Sequence, residues 1–367
     1  MKFGVCVAAK ISNIELIEVA EELGYESAWV ADSQMIWSEC YATLALAAQR
    51  TKTIKLGTGV AIAGTRIAPV TAAAIATINQ LAPGRAFLGL GTGHTAMRIM
   101  GQDAMPQREF QSYARTVRDL LDGKQTSYEY NGKARDITFI HQGQGFYELE
   151  PRIPMHIAAA GPVGQRFAGR IADGVVILGA PSGESAARAL ANVREGAAKA
   201  GRDLPEPFEV TTLTGGSVLR PGEDWTTPHV IEDVGAMITS GLHYRWEVVP
   251  EPRRDAPMPP HLQDLWQRYL DFVDGMETPA ERRYQQVHLG HCTYVAPGER
   301  QFVVPELMAG LLAGTAEQIC EKVRAAEAGG LTRIMLMADE AHAVRVLRDF
   351  AEQVIPLLAA DREPASA

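Results

Sequence analysis

The sequence is poor in the features that mark secreted, membrane-spanning and nucleic-acid-binding proteins. Its four cysteines are scattered and form no C-x-x-C pair, so we expect reduced thiols in an intracellular protein. Acidic residues outnumber basic ones by 44 to 35, for a formal net charge of −9, which leaves no sequence-wide basic surface for nucleic acid or an anionic membrane. No apolar run approaches the roughly 18 residues that a spanning helix needs, and no signal-peptide pattern is visible. A cytoplasmic protein is predicted.

Several catalytic signatures are also missing. No early G-x-G-x-x-G is followed by an acidic residue, which counts against a dinucleotide-binding fold, and no G-x-S-x-G elbow supports a Ser/His/Asp triad. No lysine stands at the carboxyl end of a predicted strand, which disfavours a flavin-free aldolase or isomerase. The HLGH segment at 288–291 has two histidines, with His243, His261 and Tyr294 in the same region. No complete ligand set is legible, so no metal site is predicted.

The pattern that is present is a regular alternation of apolar strands and amphipathic helices. Eight such units predict an α/β fold, a (β/α)8 TIM barrel that forms a single domain over residues 1–358. A long insertion, 219–313, separates the seventh strand from the eighth, a small hairpin is expected within 124–150, and the tail 359–367 is expected to be frayed. The predicted strands are 3–7, 27–31, 54–61, 86–90, 155–160, 174–178, 208–218 and 333–337.

The stretch 155–179 reads as strand, glycine-rich turn, helix and strand. Gly161 and Gly164 flank Pro162, a residue suited to the first helical position. A helix that begins there presents free N–H groups and the positive end of its dipole, which suits a phosphate. A tight strand-to-helix turn without a ligand is the alternative.

Five stretches resemble the bacterial-luciferase-like superfamily of flavin-dependent barrels, in that family's order. Within it they resemble the branch that uses a 5-deazaflavin coenzyme, such as the methylenetetrahydromethanopterin reductases. The stretches are AWVADS (28–33), IKLGTGVAIAGTRIAP (54–69), GRAFLGLGTGH (84–94), IAAAGPVGQRFAGRIADGV (157–175) and GTAEQI (314–319). The likeness covers nearly the whole chain outside 219–313.

The resemblance implies a set of cofactor-binding residues. It places a non-proline cis peptide at Gly59–Val60, behind the ring of the cofactor, where the alternative is an ordinary strand end. It also places the phosphate on backbone amides that follow the fifth strand. The cofactor-binding residues so implied are Gly59, Val60, Ala61, Thr92, Ala160, Gly161, Pro162, Val163, Gly164 and Leu178.

The resemblance further implies three candidate catalytic residues. Asp32 stands where relatives have an acidic residue beside the ring, although an N-cap role is an alternative. Relatives often have histidine at the next position, where this chain has Ser33. His94 occupies the place of an acidic proton donor, and an imidazole with a pKa of about 6.5 can do that work. Its alternative is a loop histidine bonded to a nearby helix.

These observations predict a two-electron oxidoreductase that uses coenzyme F-420 (the 5-deazaflavin) or FMN. With the deazaflavin, hydride would pass directly to or from an organic, hydrophobic small-molecule substrate. With FMN, the enzyme would be a monooxygenase that uses oxygen, and a non-catalytic flavin-binding barrel is a third hypothesis. The aromatic-rich insertion is predicted to be a lid over the barrel mouth, with a dimerisation surface or a satellite core as alternatives. The resemblance also implies a homodimer.

Overall fold

The computed structural model describes residues 1–12, 14–248 and 258–360. By its internal contacts the chain divides into two compact units, one of residues Met1–Leu213 and Ala325–Met335 and the other of Thr214–Arg324 and the residues from Leu336 onward. In chain order the elements are β1 (Lys2–Val7), α1 (Ile14–Glu22), β2 (Ser27–Val30), α2 (Cys40–Arg50), β3 (Lys55–Thr58), β4 (Ala61–Ile62), α3 (Ala68–Leu81), β5 (Ala86–Gly91), α4 (His94–Ile99), α5 (Gln107–Leu121), β6 (Thr126–Tyr130), β7 (Lys133–Ile137), β8 (Met155–Ala158), α6 (Pro162–Ile171), β9 (Gly174–Ile177), α7 (Gly183–Lys199), β10 (Glu209–Thr214), β11 (Gly216–Val218), α8 (Pro228–Val248), α9 (Gln263–Asp274), α10 (Arg283–Val287), α11 (Pro305–Met308), β12 (Leu312–Gly314), α12 (Ala316–Ala328), β13 (Arg333–Leu336), α13 (Ala343–Asp349) and α14 (Ile355–Ala360).

Eight parallel strands close into a barrel, as the alternation predicts. Their order in the sheet is β3-β2-β1-β13-β10-β9-β8-β5, and pairing between β3 and β5 closes the ring. The strands are buried along almost their whole length, for instance at all four residues of β2 and all six of β5. Burial on both faces is typical of a parallel barrel, in which one face of each strand meets the interior and the other meets the helices.

The third strand is interrupted, where the sequence predicts one strand over 54–61. β3 ends at Thr58, the Gly59–Val60 peptide is cis, and β4 then resumes pairing with β5 through Ala61 and Leu90. The Thr58 side chain bridges the gap, because its hydroxyl donates to the Gly89 carbonyl at 2.7 Å and accepts from the Gly89 N–H at 3.1 Å. The ladder between the two strands is therefore continued by a side chain.

A charged network lies at the amino ends of the strands. Arg333 donates to Glu209 at 2.8 Å and to the Ser27 hydroxyl at 2.6 Å. His156 is buried above Glu209, with 3.8 Å between its Nε2 and a carboxylate oxygen, and its ring packs edge-on to Trp29 at a centroid distance of 5.2 Å. These groups line a cavity of about 320 Å³. In this buried network the imidazole of His156 must either stay uncharged or pair with Glu209, because an unpaired buried charge is costly.

The second unit has its own hydrophobic core, built largely from helices α8 and α9. Three aromatic residues of the insertion, Trp246, Trp266 and Tyr269, are buried in this core together with Phe302. This packing supports the satellite-core alternative for those side chains, whereas the lid role of 219–313 stays a prediction. No helix in the described part of the chain is both long and apolar enough to span a membrane.

Three other features differ from the prediction, and one is confirmed. The seventh strand, predicted over 208–218, is two strands, and β11 pairs with β12 in a separate sheet. The short helix α4 after β5 was not predicted, because its six residues give too little periodicity. The last helix, predicted over 341–358, begins at Ala343, contains a π-helical segment and reaches Ala360, while 361–367 lie outside the described residues. The hairpin within 124–150 is confirmed as β6–β7.

The buried histidine makes stability depend on pH. Burial lowers the pKa of His156 to about 4, despite the opposing charge of Glu209. Between about pH 6.5 and 4 the unfolded chain binds a proton there that the folded chain does not, so stability is lost as the pH falls. The pKa difference corresponds to roughly 3 kcal/mol. We expect His156→Phe, measured by urea unfolding at pH 7 and pH 5, to lose much less stability over that interval than the wild type.

His141→Phe is the matched control, since His141 is exposed in the same unit. It should keep the wild-type pH dependence. An unchanged pH dependence in His156→Phe would show that other groups account for the loss.

Candidate active site

Most of the predicted cofactor-binding residues lie at the carboxyl ends of four adjacent strands. The sheet order places β4, β5, β8 and β9 next to one another. Val60 and Ala61 follow β3 and lie level with the carboxyl end of β5, where Ala61 of the short β4 pairs with Leu90. Thr92 follows β5, Ala160 to Gly164 follow β8, and Leu178 follows β9. The barrel therefore brings together residues that are up to 119 positions apart in the sequence (59 to 178). In this fold, active sites occupy that end of the strands.

Gly59 is required by its close contact with the second strand. A Cβ atom on Gly59 would lie 2.6 Å from Cβ of Trp29, which a real side chain could not tolerate. The Gly59 N–H donates to the Val30 carbonyl at 2.8 Å, so the chain is held against β2 just before the cis bond. The cis peptide that the resemblance implies is present at Gly59–Val60.

Asp32 is a buried carboxylate with a full set of donors. Its Oδ2 accepts from the Ile62 N–H at 3.0 Å and from Arg66 Nη1 at 2.7 Å, and its Oδ1 accepts from Gln34 at 2.5 Å and Arg66 Nη2 at 3.3 Å. Only 1% of its side chain is exposed. Asp32 thus fixes both β4 and the Arg66 guanidinium.

The alternative N-cap role of Asp32 is wrong. Helix α2 is capped by Glu39, whose side chain accepts from the Ala42 N–H at 2.7 Å. Ser33 is buried next to Asp32, and its carbonyl accepts from the Trp37 N–H at 3.0 Å in the turn that follows. The structure therefore places Ser33 in the wall of the loop after β2.

Arg66 is the residue that sequence reasoning missed. It lies within the quoted stretch 54–69, but no role was assigned to it. Burial alone would lower the pKa of Arg66, yet the hydrogen bond and charge of Asp32 raise it, so the guanidinium stays charged. It also pairs with Glu39 and lies 5.0 Å from the ring centroid of Tyr41. The sequence signal was available: an arginine among the apolar residues of a strand-end loop needs a partner.

His94 is exposed at the first position of α4. The preceding Gly93 has a φ of +72°, and a Cβ there would lie 2.2 Å from Cγ2 of Ile62. Only glycine fits that position, so the GTG sequence turns the chain sharply from β5 into α4. His94 therefore lies just beyond the carboxyl end of β5, the strand between β4 and β8 in the sheet.

The amino end of α6 is open. Gly161 is the N-cap residue, Pro162 is the first helical residue, and no heavy atom lies within 4 Å of the position of a Gly161 Cβ. Pro162 has no N–H, and the Gln165 N–H is used by the Gly161 carbonyl at 3.1 Å. The N–H groups of Val163 and Gly164, in the first turn, are the ones that helix geometry leaves for an anion.

Large apolar side chains are exposed around the same end of the barrel. Each follows a strand of the first unit, in the loop or turn at its carboxyl end. They are Ile11, Met35, Ile67, Val163 and Leu178, and their exposed fractions run from 38% for Ile67 to 79% for Met35. Grouped exposed apolar residues mark ligand or interaction surfaces. This end of the barrel therefore offers exposed apolar side chains together with the open amino end of α6.

A cleft of about 570 Å³ lies beside Arg66. It is bounded by the segment 63–67, helix α5 and the β6–β7 hairpin, and it includes Glu109, Tyr113 and Tyr128. None of the predicted cofactor-binding residues lines it. Its volume is that of a small-molecule site, and it adjoins the guanidinium that pairs with Asp32.

The Asp32–Arg66 pair should be essential for folding stability. We expect Arg66→Met to destabilise the protein by about 3–5 kcal/mol, because it leaves the Asp32 charge buried without its main partner. The double variant Asp32→Asn/Arg66→Met should recover part of that loss, since the charge is also gone. Urea unfolding measures both.

Arg188→Met is the control, because Arg188 and Glu184 form an exposed i,i+4 pair. It should cost less than about 0.5 kcal/mol. A similar small cost for Arg66→Met would contradict the prediction.

The chain is similar in sequence to proteins of a known family. A family profile described as luciferase-like monooxygenase matches residues 1–228. The chain is 32% identical over 223 residues to a protein of Archaeoglobus fulgidus named 5,10-methylenetetrahydromethanopterin reductase, a match that covers 59% of this chain and 64% of that protein. It therefore spans less than two thirds of that relative's length.

Two further matches cover more of the chain. A Rhodococcus jostii protein named F420-dependent glucose-6-phosphate dehydrogenase 1 is 34% identical over 328 residues, which are 82% of this chain and 94% of that protein. The solved structure of the coenzyme F420 dependent tetrahydromethanopterin reductase from Methanopyrus kandleri has a TM-score of 0.66 at 22% identity, and the match covers 97% of this chain and 99% of that one. That likeness shows the fold. Together with the profile match and the closed barrel, these relatives show that the chain belongs to the luciferase-like family.

Proposed function

We propose that the protein is an oxidoreductase that binds the deazaflavin coenzyme F-420 and transfers hydride between it and an organic, hydrophobic substrate. The observation that carries the proposal is the arrangement at the carboxyl ends of β4, β5, β8 and β9. There the open amino end of α6, the strand interruption at Gly59–Val60 and the exposed His94 lie at the ends of adjacent strands. A flat ring with a phosphate-bearing tail needs those three elements.

The names of the relatives favour the deazaflavin. The Rhodococcus relative, which the chain covers almost completely, is named as F420-dependent, and the Methanopyrus structure is described as coenzyme F420 dependent. A relative from Methanolobus tindarius carries the same name as the reductase from Archaeoglobus. These names support the choice of cofactor, and they give different substrates, so the substrate of this chain is proposed only by class.

The residues present fit such a cofactor. The N–H groups of Val163 and Gly164 would hold its phosphate, and the space beside Gly161 leaves room for it. Gly59, Val60 and Ala61 would support one face of the ring, with Thr92 after the neighbouring β5 and Leu178 after β9, two strands further along the sheet. Asp32 would act as a positioning residue, because it binds the Ile62 N–H and so fixes the strand that carries Val60.

A bound deazaflavin supplies or accepts a hydride at a carbon of its ring. His94 would provide the matching proton: it donates when the substrate is reduced and accepts when the substrate is oxidised. The exposed apolar side chains of Ile11, Met35 and Leu178 would contact the substrate and exclude water. The lid role of 219–313, the homodimer and the cytoplasmic location remain predictions.

An FMN-dependent monooxygenase is the second candidate. The matching family profile is itself described as luciferase-like monooxygenase, and the open amino end of α6 would accept the terminal phosphate of FMN as well. The two candidates differ in their need for oxygen, so a binding and turnover experiment separates them.

The choice of cofactor can be tested by calorimetric titration of the apoprotein with oxidised F-420 and with FMN. We expect F-420 to bind more tightly. Gly161→Val should weaken its binding by about tenfold or more, because the new side chain projects into the space proposed for the phosphate. Gly241→Val is the matched control, since nothing lies within 4 Å of a Cβ there either. It should bind F-420 like the wild type.

Tighter binding of FMN, with oxygen-dependent turnover, would favour the monooxygenase. Binding of neither cofactor, also when both are reduced under anaerobic conditions, would overturn the proposed function. Unchanged F-420 affinity in Gly161→Val would remove the phosphate assignment while leaving the cofactor.

The role of His94 is tested with a substrate found by screening small alcohols, aldehydes and ketones with F-420. His94→Asn should lower kcat by roughly 10²-fold or more, as expected for loss of an acid–base group, and should remove one limb of its pH profile. Its affinity for F-420 should stay within about twofold. His141→Asn is the control, and equal kcat values for His94→Asn and wild type would contradict the role.

A further inference from the structure

A group of histidines meets inside the second unit, whereas the residues assigned above belong to the first. Helix α8 contributes His243 and, one turn later, Glu247, while the segment after α10 contributes His288 and His291. Residues four apart on a helix share a face, and so do histidines three apart in a turn. Glu299 completes the group. The HLGH segment and His243 were noted in the sequence, but the sequence could not show that they meet.

The three imidazoles are close enough to share one ion. One nitrogen of each lies within 4.8 Å of a nitrogen of the others. The ring centroids are 5.4 Å apart for His243 and His288 and 5.1 Å apart for His288 and His291. Metal–nitrogen bonds of about 2.0–2.1 Å need nitrogens about 3.3 Å apart in a tetrahedral site, so side-chain shifts of about an ångström would complete it.

The orientation of His243 is fixed by a carboxylate. Its Nε2 lies 2.7 Å from Glu299 Oε1, and Tyr269 donates to the same oxygen at 3.4 Å. With Nε2–H donated to Glu299, Nδ1 keeps its lone pair. Nδ1 is buried and has no hydrogen-bond partner among the described residues. A carboxylate that orients a histidine, with the other ring nitrogen free, is the usual arrangement around a protein-bound metal.

His288 also lies beside a glutamate. Its Nε2 is 2.8 Å from Glu247 Oε1, and both side chains are 1% exposed. This is a close electrostatic contact, because neither ring nitrogen of His288 has a hydrogen-bond partner in the described ranges. Both nitrogens are buried, so Nδ1 keeps its lone pair available to a metal.

The surroundings of His243 and His288 are apolar and buried, whereas His291 is half-buried, so that water can reach a fourth ligand position. His243 is completely buried and His288 nearly so, and the cluster around them includes Leu242, Trp246 and Val287. Buried ring nitrogens without partners are costly in such a medium. A cation at the centre would satisfy them and would also be attracted by the two carboxylates.

We propose that His243, His288 and His291 bind one divalent transition-metal ion, with Zn²⁺ as the probe of choice, in a structural site that joins α8 to the segment 288–291. Three nitrogen ligands suit zinc and its neighbours in the first transition row. Glu299 and Glu247 orient two of the ligands. This inference is independent of the proposed function, and it replaces the expectation of no metal.

Protons are the alternative occupants of this pocket. A protonated His243 would form an ion pair with Glu299. Burial lowers the pKa of His291, but the nearby Cys292 thiol, 3.9 Å away, raises it overall. A wholly protonic network predicts no metal in the purified protein and no saturable binding.

The experiment is metal analysis of the untagged full-length protein, followed by removal of metal with a chelator and titration with Zn²⁺ against a chromophoric competitor. We expect about one equivalent of metal per chain, and a rise in the unfolding midpoint of about 5 °C or more when Zn²⁺ is restored. His288→Ala should bind Zn²⁺ at least about 100-fold more weakly. His261→Ala, which changes an exposed histidine of the same unit, should behave like the wild type.

If His288→Ala does not fold, the wild-type titration still decides, and His291→Gln serves as a second variant with a milder change. Cobalt substitution adds an independent readout, because tetrahedral Co²⁺ absorbs strongly in the visible range. The absence of stoichiometric metal together with no saturable Zn²⁺ binding would overturn the proposal. So would equal Zn²⁺ affinity in His288→Ala and the wild type.

Discussion

The break in the third barrel strand is the constraint on which the site depends. The Thr58 hydroxyl replaces a missing pair of ladder hydrogen bonds, donating to and accepting from Gly89. Trp29 leaves no room for a side chain at Gly59. Because β3 and β5 close the barrel, the interruption must be local, and Thr58 keeps it so. β4 can then resume its parallel pairing with β5 without losing the closure of the sheet.

The charges near the break serve the same geometry. Asp32 holds the amide of Ile62 and the guanidinium of Arg66 at once, so one carboxylate connects the ends of β2 and β4. The exposed His94 lies at the carboxyl end of β5, after the glycines of the fourth predicted strand. In the proposed function, positioning falls to Asp32 and proton transfer to His94.

The sequence predicted the barrel well, because each strand is a short apolar run followed by an amphipathic helix. It also indicated the glycine-rich strand ends, since Gly93 and Gly161 each follow a clear apolar strand pattern. It could not predict contacts between distant residues: Arg66 meets Asp32 across 34 positions, and His243 meets His288 across 45. The split of the seventh predicted strand into β10 and β11 was invisible as well, because apolar alternation continues through both while only hydrogen bonding tells them apart.

The network of Arg333, Glu209, Ser27 and His156 lies at the opposite end of the strands from the loops that carry Asp32, His94 and Gly161. Selection can therefore act on the two ends separately. Substitutions around Arg333 would alter how long the enzyme survives heat or acid, whereas exchanges in the loops would alter what it accepts as substrate. A barrel divided in this way can diversify its chemistry over evolutionary time without changing the residues that stabilise it.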